Sequence, residues 1–338
     1  MKDADYEKKL YKVKSVVLGH AVGDALGVPV EFASREELEG NPVTDMEGFG
    51  TYPYPAGTWS DDTSMSLAAL DSLASGNINW DEIMKNFGKW YYQDKYTPTG
   101  EMFDAGYTCI TAIENYCVYK KSYQNCGVSQ ELSNGNGSLM RIHPFALYEA
   151  AKGTFDVNNI HTASALTHAH ERSQMACGIY SFVLWELIKS PSKESIRYGL
   201  SKAKRYYREW NELKSYYKML FRRIGLTELH FEDPDTFKKA SREEIKSSGY
   251  VVDTLEAAIW CLMNTHSYKE CVLTAVNLGD DTDTVAAVAG GLAGALYGYD
   301  SIPKEWLSTL LKREYIETMC EEATSGWTTD RLPGPIFE

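Results

Sequence analysis

The chain has 338 residues, 43% hydrophobic and 24% charged, enough apolar material for one large core or two modest ones. Its formal charge of -13 excludes a general nucleic-acid binder, whose phosphate contacts need a basic footprint. No run of about 18 apolar residues occurs, and the opening MKDADYEKKLYK lacks both a signal-peptide core and an acid-poor transit composition, so a cytoplasmic protein with no membrane partner is expected.

From the first residues onward the hydrophobic period is 3.6. YEKKLYKVKSVVLGHAVGDAL (6 to 26) predicts a helix, and GDALGVPVEF (23 to 32) closes it. Gly23 and Gly27 permit a tight helix end and close backbone approach, while Glu31, after Pro29, falls in a segment that is no longer helical. EFASREELEGNPV and TYPYPAGTW are Gly/Pro-rich connections. The next helix starts in GTWSDDTSMSLAAL (57 to 70), where Ser60, Asp61, Asp62 and Thr63 stand between loop and apolar run. FDAGYTCITAIENYCVY gives another helix, with Asp104 just before it; by position alone that aspartate could cap it.

GNGSLMRIHP (135 to 144) is rich in small turn residues, and the apolar run behind it suggests a helix N-terminus whose backbone N–H groups could face an anion. QMACGIYSFVLWELI carries the same helical spacing. Residues 193–224 are a basic helical excursion, with ten of the 34 Lys and Arg against three acids. The simplest account is a solvated helix whose tyrosines cover the body; a docking surface for an acidic partner or an anionic substrate is the sharper alternative. VVDTLEAAIWCLM, YKECVLTAVNLG and DTVAAVAGGLAGALYG complete the helices. Strand-like alternation and fixed-period repeats are missing, so the expected fold is an all-α, single-domain orthogonal helical bundle spanning 1–338. The seven cysteines are scattered, without a CxxC, and are expected as buried free thiols.

The sharpest feature is NLGDDTDTVAAVAGG (277 to 291), with Asp280, Asp281 and Asp283 in four positions immediately before tightly packing residues. Capping needs one such group, or two with a partner; two helices each starting with three or four hydroxyl and carboxylate groups exceed that need. Hard oxygen ligands without Cys or His suit Mg²⁺ or Mn²⁺, and the two clusters together could hold two ions. DTDTV also matches the loop of two-aspartate phosphohydrolases. That loop follows a buried strand, whereas helical spacing surrounds this one.

These segments together, GDALGVPVEF, WSDDTSM, PTGEMFDAG, GNGSLMRIHP, THAH, GYVVDTLEAAIW and LGDDTDTVAAVAGGLAGALYG, resemble in order the ADP-ribosylglycohydrolase family, over a core of about residues 12–310. The resemblance implies an all-helical fold with two Mg²⁺ or Mn²⁺ that cleaves ADP-ribose from modified side chains. Carried over position by position, it assigns Ser60, Asp61, Asp62, Asp281, Asp283 and Thr284 as metal ligands, with Ser60 in place of the usual threonine. Asp280 stands where many relatives have glycine. Glu31 matches a glutamate that contacts the scissile ribose, and Asp104 an acid proposed to activate water. Diphosphate and ribose contacts fall near Asn136, Gly137, Ser138 and His168, and Tyr107 and Tyr250 are candidates to pack on the nucleotide. The implied substrate is ADP-ribosyl-arginine on a protein, with serine-linked or acetyl-linked ADP-ribose, or a small ADP-ribosyl compound, as rivals, acted on by a monomer. A non-catalytic ADP-ribose binder, or a structural protein as among the crystallin relatives, is the alternative class.

Overall fold

The computed structural model describes residues 4–209 and 238–328. Among them β pairing is limited to two isolated bridges, Val128 with His168 and Gly135 with Tyr250. Everything else regular is helical, as the 3.6 period requires. In chain order the helices are α1 (Ala4–Gly27), α2 (Arg35–Gly40), α3 (Asp61–Leu73), α4 (Trp80–Gln93), α5 (Tyr107–Cys117), α6 (His143–Lys152) and α7 (Val157–Ala165). They continue with α8 (Glu171–Lys189), α9 (Lys193–Glu209), α10 (Val251–Asn264), α11 (Tyr268–Val276), α12 (Thr282–Tyr297), α13 (Lys304–Thr309) and α14 (Arg313–Thr328).

Local chemistry sets many of the boundaries. Ser34 and Glu37 form a reciprocal capping box on α2, and the side chains of Asn79, Asp156 and Ser267 cap α4, α7 and α11. Pro144 sits in the first turn of α6, and Gly153, at φ 72°, ends it. On α4, Ile83, Met84, Phe87 and Trp90 are buried at helical spacing, the face that docks it on the body. One continuous core runs from Leu10 to Trp327.

At its centre α1 and α12 lie antiparallel with almost no side chain between them. A Cβ on Gly23 would stand 2.1 Å from the carbonyl oxygen of Ala286, and one on Gly290 would stand 2.3 Å from that of Gly19. Such spacing only glycine permits. The small residues after the aspartates therefore allow backbone-to-backbone contact, which holds the N-terminus of α12 beside the C-terminal turns of α1. Gly23→Ala should destabilise the fold by about 1–3 kcal/mol, because a methyl there has only main chain to displace. A urea midpoint unchanged from the parent's would contradict this packing.

The structure corrects one sequence expectation in this region. Gly23 ends nothing: α1 continues to Gly27, and a 3₁₀ turn, Val28–Val30, follows before Glu31 leaves helical geometry. Helix α1 also has an apolar window long enough to cross a bilayer, but 83% of that window is buried inside the protein. In the basic excursion, Ile196, Leu200, Ala203 and Tyr207 of α9 are buried at helical spacing and Tyr198 is exposed. Residues 210–224 of that excursion lie outside the described residues. All seven cysteines are free thiols, six buried and Cys117 half-buried.

Candidate metal and active site

Two helix N-termini converge, those of α3 and α12. At α3, Ser60 is the N-cap, and its hydroxyl accepts from the Asp62 amide at 3.3 Å. The remaining capping falls to Asp24 of α1, fully buried, which accepts from Ser60 N at 2.9 and 3.1 Å, Thr63 N at 3.1 Å and Thr63 Oγ1 at 2.6 Å. Asp61 and Asp62 are thus released from capping. At α12, Asp281 occupies the N-cap position without making a side-chain cap bond. The two ends meet directly: Thr284 Oγ1 donates to Asp62 Oδ2 at 3.1 Å, as does Ser60 Oγ. Both clusters named from the sequence form one site.

Around them stand Glu31, 6% exposed, and Asp104, which holds a left-handed φ of 55°. The Tyr52 side chain lies beside both carboxyls and acts on the charge of each. Asp104 does not cap α5, whose N-cap is Gly106. Asp280 is exposed at φ 61°, and only its backbone is engaged, accepting from Phe32 N at 2.7 Å and donating to Ala33 O at 2.8 Å. Its side chain takes no part in the cluster's hydrogen bonds.

This concentration of carboxyls is electrostatically unfavourable by itself. Burial, then the neighbouring carboxylates, push Asp61, Asp62 and Asp283 well above the usual range, and burial followed by the charge of Asp104 takes Glu31 up to about 9. Asp24 rises to about 7, burial outweighing its hydrogen bonds. Four buried carboxylate oxygens, Glu31 Oε2, Asp62 Oδ1, Asp281 Oδ1 and Asp283 Oδ2, have no hydrogen-bond partner. Unpartnered buried acceptors on four acidic side chains of this region, with no Lys or Arg lining the pocket, suit a hard cation. Ligand atoms of Asp24, Asp62 and Asp283, and of Glu31, Asp104 and Asp283, lie within 4.8 Å of one another. Asp283 belongs to both groups. The oxygens of Asp24 are already taken by donors from α3, so its part is to hold that helix end.

The acids open into a pocket of about 290 Å³. Glu31, Asp61, Asp104, Asp281 and Thr284 form one wall; Gly135, Asn136, Gly137 and His168 form the other. Asn136 Nδ2 ties the walls together, donating to Asp281 Oδ2 at 3.0 Å and to Thr254 Oγ1 at 2.9 Å. Phe32 and Tyr107, 69% and 84% exposed, stand at its lining. The Ser138 hydroxyl instead bonds Ser164 Oγ at 2.9 Å in the interior, and the Tyr250 ring lies against the Arg172 guanidinium, 5.8 Å away, outside the lining. No helix begins directly behind the glycines: turns occupy residues 137–141 and α6 starts at His143. Sequence reasoning passed over Asp24 and Tyr52. A carboxylate inside an apolar helical stretch was a signal for the first; a tyrosine within a Gly/Pro loop was too common a feature to reveal the second.

Comparison with known proteins agrees with this geometry. The family model described as ADP-ribosylglycohydrolase matches residues 5–332. The chain is 33% identical over 316 residues to the ADP-ribosylarginine hydrolase Tri1 of Serratia proteamaculans, covering 93% of this chain and 79% of that one. It is 31% identical over 296 residues to the ADP-ribosyl-[dinitrogen reductase] glycohydrolase of Rhodospirillum rubrum, covering 87% and 88%. A solved structure, an ADP-ribosylglycohydrolase-related protein complex, superposes with a TM-score of 0.75 at 29% identity, covering 95% of this chain and 99% of that one.

Proposed function

Because the chain belongs to the ADP-ribosylglycohydrolase family, we propose that its acidic pocket hydrolyses the glycosidic bond between ADP-ribose and an arginine side chain of a modified protein, releasing ADP-ribose. The observation that carries this reading is the meeting of the α3 and α12 acids, four carboxylate oxygens among them and Glu31 unpartnered, beside a pocket that Asp61, Asp104 and Asp281 line together with Gly135 and Gly137. Ser60, Asp61, Asp62, Asp281, Asp283 and Thr284 would hold two Mg²⁺ or Mn²⁺. When bound, such ions supply Lewis-acid polarisation of the ribose oxygens.

Cleavage at the anomeric carbon develops oxocarbenium character, which surrounding carboxylates stabilise. Asp104, beside Tyr52 at the pocket edge, takes the proton of the attacking water, and the arginine departs as the neutral guanidine, which regains a proton from Asp104 or from solvent. Glu31 orients the ribose by accepting from its hydroxyls. Asn136 keeps Asp281 aimed at the acids. Small backbone at Gly135 and Gly137 lets the diphosphate approach closely.

Purified protein should release free arginine-side product from an ADP-ribosyl-arginine peptide with many turnovers, lose that activity in EDTA and regain it with Mg²⁺ or Mn²⁺. Stoichiometric binding without turnover would favour the non-catalytic alternative. Full activity in stripped protein would remove the metal reading.

A further inference from the structure

Arg141 is completely buried, yet among the described residues no carboxylate answers its charge. Its guanidinium lies 4.8 Å from the Phe87 ring centroid, Nη1 donates to Ala163 O at 3.1 Å, Nη2 donates to Thr167 Oγ1 at 2.7 Å, and Nε has no partner. Burying a guanidinium without a counter-ion is costly, and an apolar side chain against Phe87 would avoid that cost. Besides anchoring Ala163, Arg141 fixes the hydroxyl of Thr167. Thr167 Oγ1 is in turn 2.9 Å from Nδ1 of His168, which lines the pocket.

We propose that Arg141 and Thr167 are positioning residues that hold His168 as its Nε2–H tautomer, giving the glycine-rich wall one fixed hydrogen-bond donor for an oxygen of the substrate's diphosphate or ribose. The chain of hydrogen bonds has a direction. An arginine only donates, so Thr167 Oγ1 accepts from it and retains one proton to give. Of its neighbours, His168 Nδ1 is the strong acceptor; the Cys109 thiol is a weak one and directs its own proton toward Gly137 O, 3.7 Å away. The hydroxyl proton therefore points to Nδ1, which must be unprotonated. Burial beside a cation keeps the ring neutral, so its single proton sits on Nε2. That edge of the ring borders the glycines: a Cβ on Gly135 or Gly137 would come within 3.6 or 3.4 Å of Nε2. The loop amide of Asn136 is not free to do this work, since it donates to Gly249 O at 3.0 Å. His168 supplies the donor that this stretch of backbone withholds.

The identity of the ligand rests on the function proposed above, but the tautomer does not, and this separates the two tests. Two-bond ¹⁵N–¹H correlation spectra of histidine-labelled protein, with His168 assigned by loss of its signals in His168→Gln, should show the Nε2–H pattern. Thr167→Val should move His168 toward the Nδ1–H form and weaken ADP-ribose binding, measured by calorimetry, about tenfold with kcat within twofold; Thr167→Ser should restore both. A wild-type protein in the Nδ1–H form, or a Thr167→Val protein with unchanged tautomer and affinity, would overturn the proposal. Failure of the wild type to bind ADP-ribose would count against the proposed function while the spectrum still decided the tautomer.

Discussion

Asp104→Asn is expected to lower kcat on ADP-ribosyl-arginine by about 10²- to 10⁴-fold, the usual contribution of a positioned general base, while ADP-ribose affinity stays within a few-fold. The substitution keeps the shape of the side chain and its place beside Tyr52, so what disappears is the capacity to take a proton. Geometry removes the competing structural account, since Gly106, not Asp104, occupies the N-cap of α5. Asp104 is also held at a left-handed φ of 55°, a conformation that carries a cost outside glycine and is retained where position matters. Glu31→Gln serves as the contrast. If Glu31 orients the ribose while Asp104 activates water, the glutamine variant should raise KM and lower kcat less than Asp104→Asn does. Reversal of that order would exchange the two roles; normal turnover in both would take general-base chemistry away from this pair.

Helix content and the meeting of the two acidic motifs were legible because both follow from local pattern. Apolar residues at a period of 3.6 define α1, α3, α8, α10 and α12, and too many carboxylates for capping define the ends that must meet a cation. Small residues after Asp283 implied tight packing, although only the fold shows that their partner is α1, through Gly19 and Gly23. Asp24 was harder to read. Its role depends on α1 passing the start of α3, a contact between residues 36 and 39 positions apart that no spacing encodes. Tyr52 was hidden for the same reason, and a chain with 23 tyrosines offers many decoys. For Ser138, which the family resemblance sets near the diphosphate contacts, the fold adds what no motif shows: its hydroxyl accepts from Ser164 in the interior.

The three aspartates of the α12 entry should respond unequally to one charge change. Asp281→Asn and Asp283→Asn each remove a carboxylate oxygen that has no hydrogen-bond partner and points into the acidic cluster, so metal affinity and activity should fall together by at least tenfold. Asp280→Asn should leave both near the parent's values. Asp280→Gly should be neutral or slightly stabilising, because glycine adopts φ 61° without the Cβ penalty and both backbone hydrogen bonds to Phe32 and Ala33 persist. Without metal the stability of the parent should also depend on pH with a definite sign. Asp24 and Glu31 titrate in the folded protein near 7 and 9, above their values in an unfolded chain, so between about pH 4 and 9 the folded state holds more protons than the unfolded one. Apo stability therefore falls as pH rises through that window. A divalent cation favours the ionised carboxylates, so added Mg²⁺ should flatten or reverse the slope, and by removing repulsion Asp283→Asn should melt higher than the parent in EDTA at pH 8 but gain less from metal. Melting curves of the parent and the three asparagine variants, with EDTA and with Mg²⁺ at pH 5, 7, 8 and 9, decide the matter. Equal metal-induced shifts across all four proteins would reduce the acidic run to a heavily charged helix start.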